Sequence, residues 1–144
     1  MGFLELGLPL RGYTLVEDRI KKFIGRNYDW DTFNCYHLII EWYKELGYEI
    51  PDYKVNVNWN KEGKNYFIDE YHKLWKEMKL EDIKEDDVIL FKVRSSVPNH
   101  VGIYVGGNKF IQCIGNTGTV VSDLGLYHKY VHGCYRLKER IECL

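Results

Sequence analysis

Apolar positions recur at helical spacing in the first half of the chain, and as alternating or short continuous runs in the second. Between Tyr13 and Ile24, the spacing of Leu15, Ile20, Phe23 and Ile24 predicts a short helix with Gly25 as its C-cap. From Cys35 onward, Leu38, Ile39, Trp42, Tyr43 and Leu46 follow the i, i+3, i+4, i+7, i+8 pattern of a core-facing helix, stopped by Gly47 and Pro51. Asp52 to Lys64 is polar and reads as a loop. Phe67, Tyr71, Leu74, Trp75 and Met78 then predict another helix over Tyr66–Met78. Beyond that point the period changes. Strands are expected at Asp87–Val93, His100–Val105, Lys109–Ile114, Thr119–Ser122 and Val131–Leu137, with hairpin signals at Gly106-Gly107-Asn108 and Asn116-Thr117-Gly118. Helices first and strands afterwards imply an α+β fold, with N-terminal helices packed on a central antiparallel sheet. Residues 1–13 have no clear period. With no repeat, low-complexity tract or linker, residues 1–144 are expected to form one domain.

Composition narrows the function classes. A formal net charge of −1 argues against broad electrostatic binding to nucleic acid or an anionic membrane. Arg19, Lys22 and Arg26 fall at helical spacing, which predicts a solvated helix face in preference to a phosphate site. No run approaches the ~18 apolar residues of a spanning helix, so no membrane insertion is expected. Met1–Leu6 lacks a basic n-region, carries Glu5 and has no Ser or Thr at position six, so neither a signal peptide nor myristoylation is expected, and synthesis in a cytoplasm is. The aromatic fraction of 15% is high; aromatic clefts suit sugars or peptides, although the ordinary use of such residues is core. Cys35-Tyr36-His37 and His132-Gly133-Cys134 look like metal-ligand pairs but lack the x2–4 separation of structural zinc, so no metal is expected.

The residue pattern offers one constellation for chemistry. Cys35 opens its predicted helix, where unpaired N–H groups and the helix dipole bias a thiol toward thiolate. A reactive cysteine needs a base, near in space and usually remote in sequence, and His100 heads a predicted strand. By strand parity, His100, Gly102 and Tyr104 share one face and Val101, Ile103 and Val105 the other. The Val–Ile face is the natural core side, leaving His100 on a glycine-lined surface where Gly102 makes room for an approaching group such as the Cys35 helix end. A three-residue loop Gly106–Asn108 would pair Val105 with Lys109 and Gly102 with Gln112, setting Gln112 diagonally beside His100; a two-residue loop would put Gln112 behind the sheet. Cys113 then faces the core. His37, two residues along the helix from Cys35, points elsewhere and reads as structural. Nothing around His72, His128 or His132 suggests a site. Together Cys35, His100 and Gln112 read as the nucleophile, base and orienter of a cysteine hydrolase.

These residues resemble a known family. Tyr28-Asp29-Trp30, Phe33-Asn34-Cys35-Tyr36-His37-Leu38-Ile39 and the ending Leu46-Gly47-Tyr48-Glu49-Ile50-Pro51 look like the nucleophile segment of the NlpC-type (NlpC/P60) cell-wall cysteine peptidases. Lys84 to Phe91, His100 to Val105 and Lys109 to Gln112 look like its strand block. The likeness spans roughly residues 20–137, least over 53–80, and is nearer to tail-assembly members encoded by tailed bacteriophages than to secreted bacterial ones. It implies a papain-like fold, no cofactor, and hydrolysis of peptidoglycan stem peptides, commonly at the D-γ-glutamyl–diamino acid bond. It further implies Cys35 as nucleophile, His100 as base and Gln112 as third polar residue, a Gln that accepts the His Nδ1–H through its carbonyl. Tyr28 takes the place of a family tyrosine near the oxyanion, and Tyr28, Trp30, Asn34 and Tyr36 are the candidate oxyanion and substrate-binding residues. The implied partners are peptidoglycan stem peptides and phage tail-tip proteins, with a location in a virion tail or at the cell wall. Asn34 replaces the usual Asp, Tyr36-His37 the commoner Ser-Gly, Gln112 the commoner His, and Asp86 a common Gly. Two other outcomes stay open: a weak or inactive tail or wall-binding module using the aromatic loop around Tyr28, Trp30 and Trp59, and an amidase, deamidase or acyltransferase built on the same Cys-His-Gln set.

Overall fold

The local causes of each element are visible in the computed structural model, which describes residues 15–52 and 73–142. Helix α1 runs Val16–Phe23, with Glu17 and Asp18 in its first turn and Lys21 and Lys22 in its last, each sign at the pole of the helix dipole that favours it. It ends where Gly25 adopts φ +80°. Helix α2, Cys35–Glu45, starts under an Asn34 cap and buries Leu38, Ile39, Trp42 and Tyr43. Six strands follow: β1 Trp75–Met78, β2 Val88–Phe91, β3 His100–Gly106, β4 Lys109–Ile114, β5 Gly118–Asp123 and β6 Val131–Leu137. A short helix α3, Leu124–Tyr127, and a 3-10 turn, His128–Tyr130, lie between β5 and β6, and helix α4, Lys138–Glu142, closes the described chain. The sheet is antiparallel at every pairing, in the order β1-β6-β2-β3-β4-β5, and the fold is α+β as expected.

The sheet separates two unequal cores. On one face Val88, Leu90, Val101, Ile103, Ile111 and Leu137 pack with Phe23, Leu38, Ile39 and Trp42 of the helices. On the other, Ile89, Phe91, Phe110 and Cys134 pack with Leu124 and the rings of Tyr104, Tyr127 and Tyr130. The second core overturns one expectation. Gly102 does not clear a path for the Cys35 helix end, which packs on the opposite face; a Cβ there would meet the Phe110 ring at 2.8 Å. The glycine admits a neighbouring aromatic ring, and the residues that roof it, 124–130, carried no period strong enough to predict.

Three further readings are corrected. Trp75–Met78, expected as the end of a helix, forms β1 on the outer side of β6, with Trp75 opposite Leu137 and Met78 opposite Cys134. The three-residue spacing of Trp75 and Met78 is helical; in the strand it sends Trp75 to one core and Met78 to the other, an arrangement decided by pairing with a segment about sixty residues away in sequence. The rest of that expected helix before Lys73, the start of the first helix at Tyr13, and Trp59, His72 and Cys143 lie outside the described residues. Arg19 does not lie on a solvated face: it is 3% exposed and donates to Asp86 at 2.6 Å. Finally, the β3–β4 hairpin turns tightly through Gly107 and Asn108, both at positive φ, with Gly106 opposite Lys109 and Val105 bulged out of the ladder. The bulge supplies the residue the short turn omits. Tyr104 stays opposite Phe110 and Ile103 opposite Ile111, so the parity expected of Gly102 and Gln112 is preserved by a different device.

Asp86 organises the start of β2. Its φ of +75° explains why a glycine would be at home there. The carboxylate compensates for that backbone by accepting from Arg19 at 2.6 Å, Trp42 Nε1 at 2.9 Å and Arg140 at 3.1 Å, while the Tyr43 hydroxyl donates to its carbonyl. Next to it, Asp87 takes a two-pronged contact from Arg136 at 2.8 and 2.9 Å. The Asp86 contacts tie α1, α2, β2 and α4 together on the helix side of the sheet, and the Asp87–Arg136 pair joins β2 to β6 on the other.

Candidate active site

The nucleophile candidate owes its position to the cap of α2. Asn34 Oδ1 accepts from the N–H groups of Tyr36 and His37 at 2.9 and 3.0 Å, and His37 Nδ1 accepts the Asn34 N–H at 3.2 Å, a reciprocal capping box. His37 Nε2 stands 3.2 Å from Asp52 Oδ2, so this histidine braces the helix end. Asn34 Nδ2 donates to the Trp30 carbonyl at 2.9 Å, and the Tyr36 hydroxyl to the Pro51 carbonyl at 2.7 Å. Both side chains line the cavity at Cys35, yet their polar atoms already serve the backbone. Before the cap, Asp29 and Phe33 exchange N–H···O bonds of 2.9 Å each, and Asp29 Oδ1 accepts from the N–H groups of Asp31 and Thr32. Trp30 and Asp31 stand at the tip of that locked loop.

His100 opens β3, opposite Phe91 and against its ring, with centroids 5.7 Å apart. Asn99 fixes the approach to it: its side chain accepts from the Val93 N–H and donates to the Val93 carbonyl, both at 2.8 Å, closing the loop between β2 and β3. His100 Nε2 lies 2.9 Å from Gln112 Oε1, and Gln112 Nε2 donates to Ser122 Oγ at 2.8 Å. A carbonyl oxygen only accepts, so the imidazole proton sits on Nε2 and not on Nδ1, the nitrogen expected from the sequence. Gln112 is 1% exposed, and this chain of neutral hydrogen bonds satisfies its amide in the interior. Ser122 was not anticipated, though the second hairpin held the clue: it stands opposite Phe110, one step diagonal from Gln112 on the same face. Nothing in the sequence marked Asn99.

Cys35, His100, Tyr28, Trp30, Asn34 and Tyr36 meet at one cavity of about 510 Å³, with Asp31, His37, Asp52 and Cys113 also on its walls. Gln112 stands behind His100. Burial pushes the Cys35 thiol up to about 11, against the opposing pull of the Val101, Tyr36 and Cys35 N–H groups. The helix end therefore does not make a thiolate here: loss of solvent outweighs it. Burial also lowers the His100 imidazole below its ordinary 6.5, the Gln112 contact opposing. The resting pair is a thiol and a neutral imidazole. Burial first, and then the charges that Cys35 and Cys113 take on when they ionise and that of Asp29, push the Tyr28 hydroxyl up to about 12, so it stays a proton donor. Among the described residues no three His, Cys, Asp or Glu side chains cluster to hold a metal ion, and no helix is long and apolar enough to cross a membrane.

The NlpC/P60 family model matches residues 25–137, from the end of α1 to the end of β6. The chain belongs to the NlpC/P60 family. This is a family of cell-wall cysteine peptidases, and the match takes in both the α2 cysteine and the β3 histidine. A curated relative is the tail tip assembly protein K of Escherichia phage lambda, 33% identical over 92 residues, which cover 62% of this chain and 46% of that one. The chain thus spans about half the length of that relative. Among solved structures, NlpC2 from Trichomonas vaginalis superposes with a TM-score of 0.63 at 23% identity, covering 91% of this chain and 51% of its own. The NlpC/P60 domain of the peptidoglycan hydrolase SagA gives 0.58 at 16% identity, covering 84% of this chain and 95% of its own. Both share the NlpC/P60 fold.

Proposed function

We propose that this NlpC/P60 chain is a cysteine peptidase that hydrolyses peptidoglycan stem peptides, at the D-γ-glutamyl–diamino acid bond, and works as part of a phage tail. The observation that carries the reading is the 2.9 Å contact between His100 Nε2 and Gln112 Oε1 at the wall of the cavity that Cys35 lines. That contact holds the proton on Nε2 and leaves Nδ1 to accept one. Because the free site holds a thiol and a neutral imidazole, proton transfer accompanies attack: the Cys35 proton passes to His100 Nδ1 as sulfur bonds the peptide carbonyl carbon. The oxyanion takes the Cys35 N–H and the Tyr28 hydroxyl, donors of a kind worth roughly 3–4 kcal/mol each. His100 then gives its proton to the leaving amine as the C–N bond breaks, and takes one from the water that cleaves the thioester, freeing the acid and the thiol.

Incubation with purified peptidoglycan, followed by mass spectrometry of the released fragments, tests the reading. The wild-type chain is expected to free stem-peptide fragments. Cys35→Ala is expected to lose about 10⁴-fold or more in kcat, as removal of a nucleophile does in comparable hydrolases, and wild-type cleavage by that variant overturns the scheme. Thiol alkylation near neutral pH is a poor substitute. A thiol pushed up to about 11 labels slowly in an active enzyme too.

A further inference from the structure

One feature of the cavity lies beyond the bond-breaking residues. Trp42 and Trp75 are 0% and 3% exposed, whereas Trp30, on the cavity wall near Cys35, is 36% exposed. Its loop is locked by the paired Asp29–Phe33 bonds, by Asp29 Oδ1 on two N–H groups and by Asn34 Nδ2 on the Trp30 carbonyl itself. An indole left open to water yet held on a rigid loop is prepared for a ligand, since preorganisation lowers the cost of binding. Beside it on the cavity wall is Asp31, itself exposed. An open aromatic face next to a carboxylate suits an amphipathic ring, with C–H groups against the indole and a hydroxyl toward the carboxylate. An apolar side chain would instead call for an enclosed pocket.

We infer that Trp30 and Asp31 form a sugar subsite, so that the cavity takes stem peptide still joined to its glycan. The inference rests on the stem-peptide reading above. Two α-linked residues reach about 7 Å and the γ-linkage of the glutamyl adds to that, so a sugar two residues from the scissile bond stands at the rim of a cavity of about 510 Å³. Trp30 is then a specificity residue, in contact with substrate and outside the bond-breaking set.

The test compares kcat/KM for a synthetic stem peptide with that for the same peptide carrying its disaccharide. The quantity read is the preference for the sugar-bearing substrate. One apolar contact discriminates by roughly 10- to 200-fold, so Trp30→Ala is expected to reduce that preference about tenfold and Trp30→Phe to retain part of it. An unchanged preference in Trp30→Ala overturns the subsite, whether the two rates fall equally, as they would if the indole met peptide, or do not fall. If the wild-type chain cleaves neither substrate, the hydrolase reading fails by itself. Calorimetric titration of Cys35→Ala with the disaccharide peptide then decides the subsite: binding that weakens with Trp30→Ala supports it, and binding that ignores Trp30→Ala, or no binding, overturns it.

Discussion

The molecule keeps polar groups out of water in two ways, one at Asp86 and the other at His100. The Asp86 carboxylate is charged, and every direction around it is filled: Arg19, Trp42 and Arg140 reach its oxygens. His100, Gln112 and Ser122 form a neutral chain whose near end opens on a cavity. Compensated charge makes a closed joint between elements. Suppressed charge leaves an imidazole nitrogen available for a proton, next to a thiol that has not given its own away. The contrast teaches that burial by itself predicts neither rigidity nor reactivity; what matters is whether the buried group's last partner is protein or an empty volume.

Removing the carboxylate breaks the closed side. Asp86→Ala takes the shared carboxylate away from buried Arg19 and from Arg140 and keeps a non-glycine residue at positive φ, and loss of one partner of a buried pair costs about 3–5 kcal/mol. Urea unfolding is expected to show a destabilisation of that size. A change under about 1 kcal/mol would mean that the hub is replaceable packing.

Charging the open side sharpens the contrast. Because His100 is held below 6.5 and only its neutral form can take a proton, kcat/KM of the wild-type chain is expected to fall on acidification only below pH 6.5. Gln112→Glu brings a carboxylate to Nε2, favours the imidazolium and moves that acid limb to higher pH. An acid limb that stays in place in the variant would mean that another group governs it. A smaller effect is expected one bond further out. Ser122→Ala removes a single neutral hydrogen bond, worth about 0.5–1.5 kcal/mol, so kcat is expected to fall by no more than about tenfold, with the acid limb unmoved.

The sequence carried the elements whose causes are local and missed those settled at a distance. The α2 period, its start at Cys35 and five of the six strands were readable because apolar spacing and turn glycines lie within a few residues of one another. β1 was misread because the three-residue spacing of Trp75 and Met78 is helical, and pairing with β6 between two cores is not visible in a local window. Arg19 was misplaced for the same reason: a charge at helical spacing looks solvated until Asp86, 67 residues on, is beside it. At the site, the meeting of His100 and Gln112 was legible through strand parity, yet by way of the wrong turn, since no rule of spacing announces a bulge. The thiol's state was misjudged because the helix end is visible in sequence and the extent of burial is not.

The bulge at Val105 has a consequence for how this chain can vary through descent. Surface turns are ordinarily where proteins gain and lose residues at little harm, and the β3–β4 turn is such a place. Here the bulge is the place that absorbs a change of one residue. Loss of Val105 alone would make Tyr104 and Gly106 neighbours, leave them opposite Phe110 and Lys109, and close a regular two-residue hairpin with Gln112 still beside His100. A one-residue change absorbed among the paired residues would instead exchange the faces of β4 relative to β3 and carry Gln112 away from His100. The spare residue beside the turn lets its length vary by one while the two strands keep their faces.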